Sequence, residues 1–169
     1  MKYMDKRNEQ IYLLGNLVDV VKVVANEPKF NYDGKQVLFY MQQPEDKEAY
    51  DAYMRGLFNS LSSEIITPIF EKAYQKCKKV TKTKPSLEFY YRKTIWGRCD
   101  VSSNRIYLNK DLIMFPKECI ELVVIHEFCH FVSLDHDKRF YQMLSYFYPE
   151  WEKTEKLMEK FEKKFNGEK

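Results

Sequence analysis

The residues of this chain best suited to chemistry are its histidines, which lie close together in the sequence. There are 3 of them, and all fall between positions 126 and 136. The run His126-Glu127-Phe128-Cys129-His130 separates two imidazoles by one helical turn, so in a helix both project from one face toward a single ion. Zinc suits this geometry, because catalytic zinc usually takes three protein ligands and leaves a fourth position open. The spacing predicts one zinc ion per chain.

His136 is the predicted third metal ligand. It follows His130 at a distance that lets a helix end and the chain turn back over the metal. Asp135 or Asp137 would accept the distal N–H of a ligand histidine, although Asp137 is better suited to capping the next helix. The alternative third ligand is a glutamate from a downstream helix, and the available ones are Glu150, Glu152 and Glu155.

Glu127 is predicted to act as a general base. It follows His126 directly, so its carboxylate leans toward the open side of the metal without being a ligand. Zinc lowers the pKa of its bound water to about 7, and a carboxylate can take up the proton as the water attacks a carbonyl or phosphoryl centre. The same carboxyl group can return that proton to the leaving group. These residues together predict a hydrolase.

Composition indicates one globular domain spanning residues 1–169, with an N-terminal hairpin and helix over about 11–80 and a core over about 86–165. The chain has 169 residues, is 44% hydrophobic and carries 28 Lys+Arg against 25 Asp+Glu. No apolar run approaches the roughly 20 residues of a membrane helix, and the N-terminus lacks a signal-peptide pattern. We therefore expect a cytoplasmic protein without a membrane partner. The 4 cysteines have no paired spacing, which fits reduced thiols.

One basic segment stands out against a net charge of only +3. Between Lys72 and Lys84 there are several lysines and no acid, which would suit contact with phosphates. No aromatic stacking residues or arginine forks accompany them, so a solvated helix end is the better interpretation. A nucleic-acid partner is only weakly supported.

The N-terminal half predicts two strands and a long helix. Residues 17–24 and 36–41 are rich in β-branched and aromatic types, and residues 31–34 between them suit a turn, so a β-hairpin is expected. Apolar residues recur at helical spacing from Pro44 to about Val80. Pro68 predicts a break or kink in that helix, or a fresh start.

The C-terminal half predicts a short antiparallel sheet and then helices, which gives an α+β fold. Strands are expected over residues 87–92, 94–99 and 105–109. Helices are expected over residues 116–133, from Asp137 onward, and from Pro149 to Phe165. The first of these carries the histidine pair, and the last has one apolar stripe typical of packing.

Four motifs in register carry a family resemblance. They are Trp96-Gly97-Arg98-Cys99, Ile106-Tyr107-Leu108-Asn109, the segment from Val123 to His130, and the segment from Asp135 to Phe140. Together they resemble the YgjP-like metallopeptidase family, which is related to SprT-like and WLM-type minimal zincins. The resemblance implies a small zincin-like fold in which His126, His130 and His136 bind zinc and Glu127 is catalytic.

The resemblance also implies substrate contacts. In zincins the strand beside the active-site helix often pairs with an extended substrate, which assigns Arg105–Asn109 to that role, with Tyr107 and Asn109 as contacts. Arg98 stands where the family usually has a small serine, so it would narrow or recharge the groove. The oxyanion stabiliser would be Arg139, Arg98 or a tyrosine. A peptide or protein substrate is expected.

Two other functions use the same residues. A zinc hydrolase of a nucleotide or another small substrate would need the same metal chemistry and a different pocket. A structural zinc site with a nucleic-acid-binding surface would normally have four protein ligands, and this pattern offers three. The remaining alternative is that all the histidines are ordinary core or surface side chains.

Overall fold

The chain folds into two small β-sheets joined by one long helix and followed by shorter helices. The computed structural model describes residues 4–5, 10–43, 45–92 and 95–166. Within these residues the α+β class is confirmed. The first sheet has five strands in the order β1-β2-β3-β5-β4. They are β1 (Met4–Asp5), β2 (Gln10–Leu13), β3 (Asn16–Val24), β4 (Lys29–Tyr32) and β5 (Gln36–Met41).

The predicted hairpin between residues 17–24 and 36–41 is wrong, because these two strands are parallel neighbours. Asp19 lies opposite Gln36 and Val24 lies opposite Met41. The chain reverses once after β3 to form β4 and again through the predicted turn to form β5. Two reversals restore the original direction, and β5 inserts between β3 and β4. Strand β4 was not predicted from the sequence, so only one chain reversal was expected between the two predicted strands. Gly34, with φ of 91°, supplies the left-handed residue of the turn.

The long helix α1 runs from Lys47 to Cys77 and links the two sheets. Asp46 caps it by accepting hydrogen bonds from the N–H groups of Glu48 and Ala49. The predicted break at Pro68 is wrong, since the helix is continuous through it. Its buried residues follow one stripe on both sides of the proline, and that packing keeps a single helix despite the missing hydrogen bond. They are Tyr50, Met54, Leu57, Leu61, Ser62, Ile66, Phe70, Ala73 and Cys77.

The second sheet has three strands in the order β6-β8-β7. They are β6 (Ser86–Tyr90), β7 (Gly97–Asp100) and β8 (Arg105–Asn109). The predicted antiparallel sheet is correct for β7 and β8, whereas β6 is parallel to β8. Again the third strand inserts between the first two. We call β3, β4 and β5 the N-terminal triplet and β6, β7 and β8 the C-terminal triplet, because both have this arrangement.

A 3₁₀ helix, Lys110–Met114, follows the second sheet, and three α-helices follow it: α2 (Lys117–Cys129), α3 (Lys138–Phe147) and α4 (Trp151–Phe165). The predicted helix over 116–133 ends earlier, at Cys129, since His130 already caps it. The predicted starts of α3 and α4 agree closely with the structure. Asp137 caps α3 by accepting the N–H of Phe140 at 2.9 Å. Met158, Phe161 and Phe165 of α4 are buried, which confirms its packing role.

The core runs along α1 and α2 and includes Phe70 and Phe128, whose ring centroids are 5.3 Å apart. All 4 cysteines are unpaired, and burial raises the pKa of Cys77, Cys119 and Cys129 to about 12. Cys129 is therefore a buried packing residue. Among the described residues, no helix combines the length and apolarity that crossing a membrane requires.

Candidate metal centre

The three histidines converge where α2 ends and the chain turns back toward α3. His126 lies in the last turn of α2 and His130 is its C-cap, so one helix end holds both rings. His136 lies just before the Asp137 cap of α3. The ring nitrogens of the three side chains all lie within 4.8 Å of one another. The predicted turn of the chain over the helix end therefore occurs.

The spacing of the ring nitrogens fits a single small cation. The Nε2 atoms of His126 and His136 are 3.0 Å apart, and the centroid of the His130 ring lies 5.1 and 5.0 Å from those of the other two rings. Tetrahedral coordination at the zinc–imidazole bond length separates ligand nitrogens by roughly 3.4 Å. Small side-chain adjustments would bring all three nitrogens to that spacing. Among the described residues, this cluster contains no fourth ligand.

The surroundings favour neutral imidazoles, which is the form that binds metal. Burial lowers the pKa of His126 to about 3, and the neighbouring His130 and His136 act in the same direction. Burial also lowers the pKa of His130. The Nδ1 of His130 lies 3.1 Å from the carbonyl oxygen of Ser133, so as a donor it leaves the Nε2 lone pair free. A carbonyl takes this role, where an aspartate was predicted.

The ring of Phe140 packs against the rings of all three histidines. It is completely buried, and its ring centroid lies 4.8, 4.9 and 4.6 Å from those of His126, His130 and His136. Such packing limits the rotation of each ring and keeps the nitrogens turned toward a common point. No separate signal in the sequence predicts this role, because a phenylalanine on a helix is expected in any core.

Glu127 lies on the buried side of α2, against strand β7. It is 4% exposed, and burial raises the pKa of its carboxyl group to about 8, while the backbone N–H of Cys99 opposes the shift. A nearby cation would favour the charged form and oppose the effect of burial. Gly97 of β7 lies so close that its missing side chain leaves the space for the carboxylate. Sequence reasoning treated Gly97 only as part of a motif.

Two of the predicted substrate contacts lie on the other face of the second sheet. Side chains alternate along a strand, and Gly97 faces Glu127, so Arg98 points to the opposite face. Tyr107 is its cross-strand partner, and the Arg98 guanidinium lies over the Tyr107 ring at 5.0 Å. Arg98 also lies 3.7 Å from Asp100. The structure does not bring either residue to the histidine cluster.

Asn109 and Arg139 occupy different environments. Asn109 is completely buried, and its side-chain amide donates to the carbonyl oxygens of Arg92 and Ile95 while its oxygen accepts from Asp111. These contacts indicate a structural role in the turn that leaves β8. Arg139 is exposed in the first turn of α3, close to His136 in sequence, and is the predicted contact that remains near the site.

The prediction that Arg105–Asn109 pairs with substrate is wrong, because β8 is the central strand and already has partners on both sides. The edge strand nearest α2 is β7. The carbonyl of Trp96 accepts from the N–H of Asn109 at 2.8 Å, so alternation turns the backbone groups of Gly97 and Cys99 away from β8. At this outer edge the backbone N–H of Cys99 contacts the Glu127 carboxyl group.

A cavity of about 440 Å³ lies elsewhere, between β2, α1 and the 3₁₀ helix. Its lining includes Ile11, Met54, Phe58 and Asp111, and none of the histidines. Burial raises the pKa of Asp111 to about 6. The histidine cluster instead lies toward the surface, where His136 is exposed. This placement suits an extended substrate better than an enclosed small molecule.

The lysines between Lys72 and Lys84 are partly engaged within the fold. Lys76 pairs with Glu121 of α2, and Lys84 pairs with Glu71 of α1. Lys84 also lies over the ring of Tyr74 at 5.9 Å. These contacts support the interpretation of a helix end and adjoining loop, stabilised by neighbouring acids.

The fold and the site together define a class: an α+β protein in which one helix carries a buried glutamate and ends at a three-histidine cluster. Residues 2–161 match the family model described as YgjP-like, metallopeptidase domain. The chain belongs to this YgjP-like metallopeptidase family, as the sequence motifs implied. A search of curated proteins finds no match. Membership implies a metal, usually zinc, and a hydrolytic activity.

Proposed function

We propose that the protein is a zinc-dependent peptidase in which His126, His130 and His136 hold one metal ion and Glu127 is the general base. The observation that carries the proposal is the convergence of three ring nitrogens within 4.8 Å, together with the buried carboxyl group of Glu127, the residue that follows His126 in α2. Family membership supports the peptidase class. Within the described part of the chain the cluster has three ligands and no fourth, which supports a catalytic ion over a structural one.

The donor set fits zinc, because three neutral imidazoles are among the ligands that this ion prefers. When bound, zinc supplies a Lewis acid for the substrate carbonyl and lowers the pKa of a water molecule to about 7. Phe140 and the carbonyl of Ser133 orient the imidazoles, so the protein presents the nitrogens with little further ordering.

Glu127 takes up the proton that the attacking water loses and returns it to the departing amine. Its buried position matters, because a carboxylate removed from bulk water accepts a proton more readily than an exposed one. The low exposure also keeps bulk water from exchanging that proton freely. Positioned acid–base groups of this kind contribute about 10²–10⁴-fold to rate.

An extended peptide would pair with the outer edge of β7. Gly97 turns its N–H and C=O groups to this edge and Cys99 its C=O group, while the Cys99 N–H stays with Glu127, and no strand in the described part of the chain covers the edge. Leu134, which is 72% exposed, and the Tyr141 ring, 6.4 Å from His136, offer apolar surface for peptide side chains. Methylating single backbone nitrogens of a cleaved peptide should slow cleavage at alternate positions. Equal cleavage of all such peptides would exclude strand pairing.

The alternative is hydrolysis of a nucleotide or another small substrate at the same metal. One observation favours it: Lys138 and Arg139 are exposed in the first turn of α3, two and three residues after His136. A helix N-terminus with basic side chains suits phosphate. A screen separates the two substrates, because peptide fragments from unfolded protein support the peptidase and release of phosphate or pyrophosphate supports the alternative.

The first test is the metal content of protein purified without a histidine tag. We expect one zinc per chain in the wild type and its loss or strong weakening in His136→Ala. Glu127→Gln should keep the zinc and lower cleavage by about 10²–10⁴-fold. Glu121→Gln is the matched control, since Glu121 lies on the same helix and pairs with Lys76, away from the histidines. Full cleavage by Glu127→Gln would disprove the mechanism, and no zinc in reconstituted wild type would disprove the site.

A further inference from the structure

Strand β7 is shaped around the carboxylate of Glu127 by one missing side chain. A Cβ atom built on Gly97 would lie 2.4 Å from Oε1 of Glu127 and 2.8 Å from both its Cδ and Cγ atoms. Separations this short are not found for real Cβ atoms. The positive-φ glycines among the described residues are Gly15 and Gly34, so the backbone at Gly97 does not itself require glycine. Space for Glu127 is the reason for glycine at this position.

The same stretch of strand also provides a polar contact. Gly97 and Cys99 are two residues apart in β7, so they lie on the same face of the strand and their backbone groups point to the same edge. The backbone N–H of Cys99 donates a hydrogen bond to the Glu127 carboxyl group. The three heavy atoms nearest to a side chain placed in the notch all belong to the flexible side chain of Glu127. Glu127 would then turn away while the strand and helix stay in place.

We propose that Gly97 is a positioning residue for Glu127: it leaves the notch that holds the carboxylate beside Cys99 and toward the metal centre. This inference rests on the proposed function, in which Glu127 is the general base. It predicts that Gly97→Ala moves the base without removing a metal ligand. A displacement of about 1 Å in a reacting group costs on the order of 10²-fold in rate.

The experiment compares Gly97→Ala with Gly56→Ala. A Cβ atom on Gly56 would meet only Phe30, at an ordinary 3.7 Å, so the same substitution has room there. In the zinc-loaded protein, we expect Gly97→Ala to keep one zinc per chain and its KM, and to lower kcat by on the order of 10²-fold. Gly56→Ala should keep wild-type kcat. Wild-type kcat in Gly97→Ala, or loss of its zinc, would overturn the proposal.

A second readout does not depend on activity. Glu127→Ala should shift the NMR resonance of the Cys99 amide in the wild-type background, because the carboxylate beside it is removed. In the Gly97→Ala background the carboxylate has already moved, so Glu127→Ala should change that resonance little. Equal shifts in both backgrounds would overturn the proposal. This comparison of Glu127→Ala in two backgrounds tests the role of Gly97 even if the wild-type protein cleaves no peptide. Failure to cleave peptides would count against the proposed function and not against the role of Gly97.

Folding is the remaining control. If Gly97→Ala does not fold, the double variant Gly97→Ala with Glu127→Ala decides the outcome. A folded double variant supports the proposal, because removing the glutamate relieves the overlap. An unfolded double variant overturns it, because the notch would then serve the fold and not Glu127.

Discussion

The two triplets have the same topology, with β4 and β7 as the matching outer strands. They differ in the residue of that outer strand that lies against a helix. In the N-terminal triplet, Phe30 of β4 packs at 3.7 Å from the Cβ position of Gly56 in α1. In the C-terminal triplet, Gly97 of β7 makes room for Glu127 of α2. The large residue is on the strand in the first case and on the helix in the second. The same backbone arrangement thus holds an aromatic side chain at one place and a buried carboxyl group at the other.

The difference shows how a fold element without chemistry becomes part of a site. An aromatic side chain on the outer strand fills the space between strand and helix and excludes polar groups. A glycine leaves that space to a charged side chain, and the nearby strand edge supplies backbone N–H and C=O groups. The place of the Glu127 carboxyl group therefore depends on an omitted side chain as well as on those present.

The largest expected effect separates the core of the first sheet from the metal centre. Phe39 of β5 and Phe140 of α3 are both completely buried. Truncating either to alanine should lower the free energy of unfolding of the metal-free protein by about 3–5 kcal/mol, because a large cavity is left. Only Phe140→Ala should also weaken zinc binding, by about 10–100-fold, since Phe140 packs under all three histidines.

Denaturant unfolding with a chelator present measures the first quantity, and competition with a chromophoric chelator measures the second. Unchanged zinc affinity in Phe140→Ala would show that the imidazoles hold their orientation without it. Weakened zinc affinity in a folded Phe39→Ala sample would show that the two regions are coupled through α1.

How much the sequence predicted differs between local and non-local features. The three histidines and Glu127 lie in one short stretch, so helical geometry alone predicted that His126 and His130 share a face. Strand existence was also local, and β8 was predicted with its observed bounds. The pairing of the strands could not be predicted locally, because hydrogen-bond partners come from distant segments and depend on how many times the chain reverses. That is why the hairpin and the position of β8 were wrong, and why the notch at Gly97 had no signal.

The middle-sized effect concerns Pro68, where local reasoning failed. The proline is exposed, and α1 continues through it because residues on both sides are buried against the two sheets. Pro68→Ala should stabilise the protein by about 1–2 kcal/mol. An interior proline destabilises a helix by about 3 kcal/mol, but it also lowers the entropy of the unfolded chain, which offsets about 1 kcal/mol of that cost. The melting temperature should rise by about 2–8 °C. A lower melting temperature would show that the helix is built around a kink that alanine cannot keep.

The smallest expected effect compares the matching turns of the two triplets. Asp33 accepts from the N–H groups of Lys35 and Gln36 at 2.9 Å in the turn before β5. Asp100 accepts from the Ser102 hydroxyl at 2.7 Å and from the Ser103 N–H at 3.1 Å in the turn before β8. These hydrogen bonds lower the pKa of Asp33, and they lower the pKa of Asp100 to about 2.

A carboxyl group whose pKa is lowered in the folded protein stabilises it above the unfolded pKa of about 3.9, and this contribution fades as the pH falls toward the folded value. Asp33→Ala and Asp100→Ala should therefore each melt below wild type at pH 7, and the difference should shrink near pH 3. Metal-free protein is needed for both measurements, because acid protonates the histidines and releases zinc. A melting-temperature difference that persists unchanged at pH 3 would show that the aspartates act through turn geometry alone. A difference in only one variant would show that the matching turns of the two triplets are not stabilised in the same way.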